Sequence, residues 1–245
     1  MLAIFKLMFN YWKRSPGWMF GFVFPIFYLL LFQLFIPLQS YLPMLLISTT
    51  LGSGIFGLGI TYADIKNSVI IKKIRTLPLP KWKVVSGIIS FNFFITCLTN
   101  CWIFLFSALF FHSELNFAYI NWFYLVLGFF LAAFMASIIG FLIGSLAANV
   151  QDAGNFAFFV TMPSSFFSGQ YIPIKKISSK LGTVAKFIPF SYLNDIMKRA
   201  FSHYNISAIQ DNLLFADYWQ PIAFSLIWIV ILFLLALYIY NSQKE

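Results

Sequence analysis

The run from Asn121 to Ala148, NWFYLVLGFFLAAFMASIIGFLIGSLAA, contains no Asp, Glu, Lys or Arg. A barrel strand crosses a bilayer in about 9–11 residues and a helix in about 20, so this run is too long for the first and long enough for a tilted form of the second. In hydrocarbon there is no water for backbone N–H and C=O groups, and a lone run must close its hydrogen bonds within itself, as an α-helix. The same argument extends to five further apolar runs, at 18–37, 41–63, 84–111, 153–168 and 218–240. The chain has 245 residues, 61% of them hydrophobic, 21% aromatic and only 9% charged. Soluble domains carry about 25% charged residues. The expected fold class is therefore all-α: a polytopic integral membrane protein of six transmembrane helices forming a single domain over 1–245.

The connections between runs add detail. Over 1–16, Ile4, Phe5, Met8, Tyr11 and Trp12 recur at helical spacing, with Lys6, Asn10, Lys13 and Arg14 largely opposite. This pattern predicts an interfacial helix, or alternatively the frayed start of the first span. The run 18–37 is too long for a signal-peptide core and is read as a retained span. Pro25 lies inside it, where neighbouring helices are expected to satisfy the freed carbonyl. Only Leu38, Gln39 and Ser40 separate the first two spans, which forces them to be antiparallel neighbours. The fifth run, 153–168, contains Pro163 and is marginal for a full crossing. The stretch 169–217 mixes prolines, basic residues and apolar patches.

The net charge of +9 invites a nucleic-acid reading, but the basic residues flank apolar runs, as membrane anchors do. Lys6, Lys13 and Arg14 precede the first span, and Lys66, Lys72, Lys73, Arg75, Lys81 and Lys83 fill the loop 64–83. The short loops after spans one and three carry no Lys or Arg. Positive-inside bias then predicts both termini and the loop 64–83 in the cytoplasm, and 169–217 outside despite its six basic residues. The expected setting is the plasma membrane, multi-pass and bacterial, with membrane lipids but no nucleic acid among the partners.

The loop 64–83 reads DIKNSVIIKKIRTLPLPKWK. Ile70, Ile74 and Leu77 share a helical face, Lys66 and Lys73 fall on another, and Pro78 and Pro80 stop the helix. Such a helix either beds into a partner's groove or merely fixes orientation. Gly52 to Gly57 spell G-x-G-x-x-G, but inside an apolar run with no βαβ pattern and no acidic residue about twenty positions on, which rejects a dinucleotide site. Gly52, Gly54 and Gly57 are read instead as packing or flexible positions, as are Gly140 and Gly144. Asn92, Thr96, Thr99 and Asn100 should face other helices or a wet path. Cys97 and Cys101 are read as packing residues on one helix face. No fully intramembrane charge supports an ion relay, and no H-E-x-x-H, G-x-S-x-G or G-x-x-x-x-G-K-[ST] supports an enzyme. No catalytic, metal-binding or cofactor-binding residue is assigned in this chain.

Three groups of residues go further together. They are Arg14-Ser15-Pro16 before the run with Pro25; Ile74-Arg75-Thr76-Leu77-Pro78-Leu79-Pro80-Lys81-Trp82 leading to Gly87; and Phe167-Ser168-Gly169, Pro173, Pro189-Phe190-Ser191-Tyr192 and Arg199 before the last span. In order and spacing they resemble the membrane subunit of an ABC-2 type transporter, over nearly the whole chain. Where many members carry a Glu-rich stretch before the loop proline, this chain has Asp64 and then Asn67-Ser68. The resemblance implies that 64–83 is a coupling helix docking on an ATPase, with Asp64, Lys66, Ile70, Lys73, Ile74, Arg75, Leu77 and Pro78 as its contact residues. It implies that 169–217 forms outer re-entrant helices around Ser168, Gly169, Pro173, Pro189, Tyr192 and Arg199. It further implies an export permease with a separate ABC ATPase that binds ATP and Mg, and a second copy or similar permease as partner. Asn92, Thr96, Asn100, Gly52, Gly54 and Gly57 are the candidates for the path or for helix packing. A non-catalytic immunity or scaffold protein, or a secondary transporter, are the alternatives.

Overall fold

A computed structural model describes residues 2–13, 21–35, 37–66, 68, 80–111, 115, 117–169, 178–202, 213–215 and 217–242. Among these residues every regular element is helical. Four helices are long and apolar enough to cross a membrane: Ser40–Lys66, Lys81–Phe110, Trp122–Leu146 and Trp219–Ser242.

The first of these is composite. Helix α3 (Leu38–Leu51) runs into a π-helical turn, Gly52–Gly57, and continues as α4 (Leu58–Lys66). It pairs with α2 (Phe24–Gln33), which spans ten residues and about 15 Å, half a bilayer core. Gly21 and Phe22 are helical as well, the helix breaks at Val23, and Pro25 follows in the first turn of α2, where no N–H is needed. The hairpin turn also falls earlier than expected. Leu34 and Phe35 tighten the end of α2, Pro37 in extended conformation caps α3, and residues 38–40 are already helical. Tyr41 holds the hairpin by donating its hydroxyl to the Leu29 carbonyl at 3.1 Å and the Gln33 side-chain oxygen at 2.9 Å.

Helix α5 (Lys81–Phe110) has 30 residues and a length of about 45 Å, well beyond the hydrocarbon core. The surplus is used by α1 (Leu2–Trp12), which lies against its first half. Phe5 meets the rings of Phe91 and Phe94 edge-on at 5.1 and 5.8 Å, Met8 is fully buried, and Lys6, Asn10 and Lys13 are exposed.

Helix α6 (Trp122–Leu146) is the centre of the bundle and is buried along most of its length. Small residues on α6 let the composite helix come to backbone contact. Gly54 lies on Ala136, and a Cβ at Gly140 would overlap the Gly54 carbonyl oxygen. A Cβ at Gly144 would stand 2.7 Å from the Gly59 carbonyl oxygen. Because both chains enter this contact from the same end, the two helices run parallel, and their carboxyl termini finish side by side. The rings of Tyr62 and Phe141 close the lower part of the seam at 4.7 Å, and Tyr240 of α10 (Trp219–Ser242) reaches Phe141 at 6.2 Å.

Asn149 ends the turn after α6 and caps α7 (Val150–Phe167), accepting the Asp152 N–H at 2.8 Å. With 18 residues, α7 measures about 27 Å, just short of the core thickness, and it falls outside the four long apolar helices. The sequence expectation of six crossings thus rests on four long helices plus the shorter α2 and α7. Two short helices, α8 (Ser179–Ala185) and α9 (Pro189–Ala200), complete the described fold.

Candidate functional site

Three regions carry the residues singled out by sequence: a cleft beside the composite helix, a polar seam behind it, and a polar cap at one end of the bundle.

The cleft opens between α2, the composite helix and α7. Its volume is about 530 Å³, with an adjoining space of about 240 Å³ that shares Tyr28, Leu45, Ser48, Gly52 and Phe56. Phe158, Met162 and Phe166 form the α7 wall, and Ser48, Thr161 and Ser165 contribute hydroxyl-bearing side chains. Among the described residues no Asp, Glu, Lys or Arg lines it. The π turn shapes this wall. Gly52 faces open space, with no atom within 4 Å of an added Cβ, and Gly57 is almost as free, whereas Gly54 on the opposite side packs on α6. Of the three glycines of one motif, Gly52 thus lines the cleft, Gly54 the packing contact, and Gly57 a small separate space beside Met8 and Trp12 of α1. Apolar walls with hydroxyl groups favour uncharged or aromatic matter over ions, since an ion entering here would find no counter-charge for its lost hydration.

Behind the cleft, α5 meets the composite helix through a hydrogen-bonded seam. Asn100 donates to the Thr50 hydroxyl at 2.8 Å and accepts from the Thr49 hydroxyl at 2.6 Å. Thr99 donates to the Ser53 hydroxyl at 3.2 Å. Asn92 donates to the Gly54 carbonyl at 3.1 Å and to the Ser137 hydroxyl at 2.9 Å, joining the π turn to α6. Thr96 is fully buried beside them, and its hydroxyl has no partner among the described residues. A π turn leaves carbonyls poorly served by their own helix, and Asn92 supplies the donor. Asn92→Leu is therefore expected to lower stability by about 1–2 kcal/mol, read as thermal unfolding in detergent.

The polar cap lies where α3, α6 and α10 begin and α5 and α7 end. Gly169, with φ of 73°, ends α7 in the left-handed conformation that glycine adopts without strain. Helix α9 crosses here, its Ala200 carbonyl accepting the Asn121 N–H at 2.8 Å and its Met197 lying over Gly128. Pro189 occupies the first turn of α9, and Tyr192 donates to the Lys186 carbonyl while stacking on Phe215 and Phe224. Arg199 donates to the carbonyls of Phe215 at 2.7 Å and Asp217 at 3.2 Å, its guanidinium 4.5 Å from the Tyr218 ring. Ser168 accepts from Asn194 at 3.1 Å, and Gly169 from Lys198 at 2.6 Å. Asp195 accepts the N–H groups of Leu214 and Phe215 at 2.8 to 3.0 Å.

Asn194, Asp195 and Lys198 were not singled out in the sequence, yet all three are buried. Burial pushes the Asp195 carboxyl above its ordinary value, against the pull of two backbone N–H groups and of Lys198 and Arg199. Burial lowers Lys198 to about 8, opposed by Asp195. Helix α9 thereby ties the end of α7 to the entry of α10.

At the opposite end, Asp64 is exposed, and Lys66 reaches α6, donating to the Ser145 carbonyl at 2.6 Å and the Ala147 carbonyl at 3.1 Å. Ile70, Lys73, Ile74, Arg75, Leu77 and Pro78 lie outside the described residues, as does Pro173 at the other end.

The profile of ABC-2 family transporter proteins matches residues 32–238, from the end of α2 almost to the end of α10. No curated protein and no solved structure matches the chain significantly. Four long apolar helices built around that matched region, with most of the chain covered, place this multi-pass membrane protein in the ABC-2 transporter family, as the membrane subunit of an ABC transporter.

Proposed function

We propose that this chain is the permease of an exporter, working as a dimer with itself or a similar permease and driven by a separate ABC ATPase that binds ATP and Mg. Both termini and the loop 64–83 face the cytoplasm, and the cap around α9 faces outward. The observation that carries this reading is the cleft. It is lined by a helix pair and by α7, the described residues that line it carry no charge, and it runs beside a composite helix whose cytoplasmic end leads directly into the basic loop. Movement of that loop would turn α4 and, through the π turn, alter the cleft wall at Gly52 and Phe56. A second subunit closing over the exposed aromatic faces of α2 and α7 would complete the path; Phe27 and Phe159 are among the most exposed apolar side chains there.

The test uses the open position in the wall. Gly52→Trp, which has room to be accommodated, should block export while the chain inserts and binds its ATPase as before, whereas Gly52→Ala should leave export unchanged. Export is scored as retention of labelled peptide antibiotics, lipid-linked glycans and drugs in cells expressing the permease with its ATPase. Equal export by the Trp variant at equal membrane level would remove the cleft from the path. The pure chain should hydrolyse no ATP above background.

A further inference from the structure

We infer that Lys66 is a positioning residue for coupling: from the last position of α4 its ammonium holds the carboxyl end of the parallel helix α6 and carries motion of α4 to α6 and α7. The inference rests on the ATPase-driven reading above.

The composite helix and α6 run parallel and in backbone contact, so their carboxyl ends, each carrying about half a negative charge from unpaired carbonyls, finish next to one another. Left alone, the two ends repel. Lys66 is the last residue of α4 and so lies in the negative field of its own helix, while its ammonium donates to Ser145 at 2.6 Å and Ala147 at 3.1 Å, at the end of α6. Lys66 therefore caps the end of α6, while Ser68 caps its own helix, giving its N–H and its hydroxyl to the Ile65 carbonyl at 2.9 and 2.6 Å. Three residues after Leu146, Asn149 caps α7, whose far half walls the cleft at Thr161, Met162 and Phe166. The chain of contacts is continuous: the loop begins directly after Lys66, Lys66 holds the α6 end, the α6 end leads by a three-residue turn into α7, and α7 faces the cleft.

Helix α4 also packs directly on α7, and Lys66 adds a charged contact at the end of α6. A lysine is suited to the role because its ammonium is a point donor on a flexible stem and can follow a small rotation without losing both carbonyls. Lys66→Gln, an innocuous change if this residue only helped set orientation, becomes a disruptive one here. Glutamine is shorter and uncharged, and leaves the Ser145 and Ala147 carbonyls without the ammonium.

Hydrogen exchange read by mass spectrometry separates the possibilities, in the chain alone and in its complex with the ATPase, without knowledge of the substrate. In the chain alone, Lys66→Met should raise exchange over 143–150 several-fold, and Lys66→Arg should restore protection. In the wild-type complex, trapping with ATP and orthovanadate should change exchange over both 40–66 and 150–167. In the Lys66→Met complex the response of 40–66 should persist and that of 150–167 should fall several-fold, with Lys66→Arg again restoring it. A merely structural lysine would alter the resting exchange but leave both responses in step, and that result would overturn the inference, as would unchanged protection over 143–150 in Lys66→Met. Absence of any nucleotide response in the wild-type complex would instead overturn the ATPase-driven reading, and the coupling role with it. If Lys66→Met fails to accumulate, Lys66→Gln is read by the same criteria.

Discussion

Gly140→Val is expected to destabilise the protein by about 3 kcal/mol, a large share of a typical stability of about 5–15 kcal/mol. The added Cβ would occupy the position of the Gly54 carbonyl oxygen and press on Ile55 and Leu58, all backbone or first side-chain atoms of the facing helix. Neither helix can retreat alone. The composite helix is pinned behind by Asn92 and Asn100, and α6 is buried on its remaining sides. Gly52→Val is the matched control, since its added atoms enter the open cleft, and it should stay within about 1 kcal/mol of wild type. Thermal unfolding in detergent, scored by fluorescence-detected size exclusion, compares the two. Equal melting temperatures for both valine variants would show that the α4–α6 contact is looser than described.

Asp195→Leu is expected to cost about 3–5 kcal/mol, the amount typical of removing one partner from a buried charged network. The change strands the N–H groups of Leu214 and Phe215 and leaves Lys198 and Arg199 in a buried site without their counter-charge. Asp195→Asn keeps an acceptor for the backbone and should cost less, about 1–3 kcal/mol. Adding Lys198→Met to Asp195→Leu should recover part of the loss, because two apolar side chains can replace a buried pair of charges. If Asp195→Leu melts within about 1 kcal/mol of wild type, the cap does not depend on this carboxylate.

What sequence could reveal here follows from how local each feature is. The long helices were legible because lipid forces apolar runs of about 20 residues into one conformation. Gly140 and Gly144 were legible as packing positions because a four-residue interval of glycines clears one helix face, whichever helix then fills it. Asn92 and Asn100 were legible as inward-facing because an amide on a lipid face has no partner. The π turn was not legible: Gly52, Gly54 and Gly57 permit it, but its register depends on Asn92, which comes from another helix. Lys66 was read with the basic loop because the carbonyls it caps lie some 80 residues further along the chain. Asp195 and Lys198 were not distinguished within 169–217, because the N–H groups of Leu214 and Phe215 that Asp195 accepts lie some twenty residues further along the chain.

The central claim is that nucleotide turnover in a partner ATPase reshapes the cleft beside the π turn. Ser48 lines both parts of that cleft, and free Cys97 and Cys101 can be replaced by serine to give a background for labelling. In that background, Ser48→Cys in the assembled complex is exposed to a membrane-impermeant maleimide, from each side of the membrane in turn, with and without ATP and orthovanadate. The account predicts that trapping changes the rate of labelling from at least one side several-fold. Identical rates from both sides, in a complex that hydrolyses ATP, would contradict it.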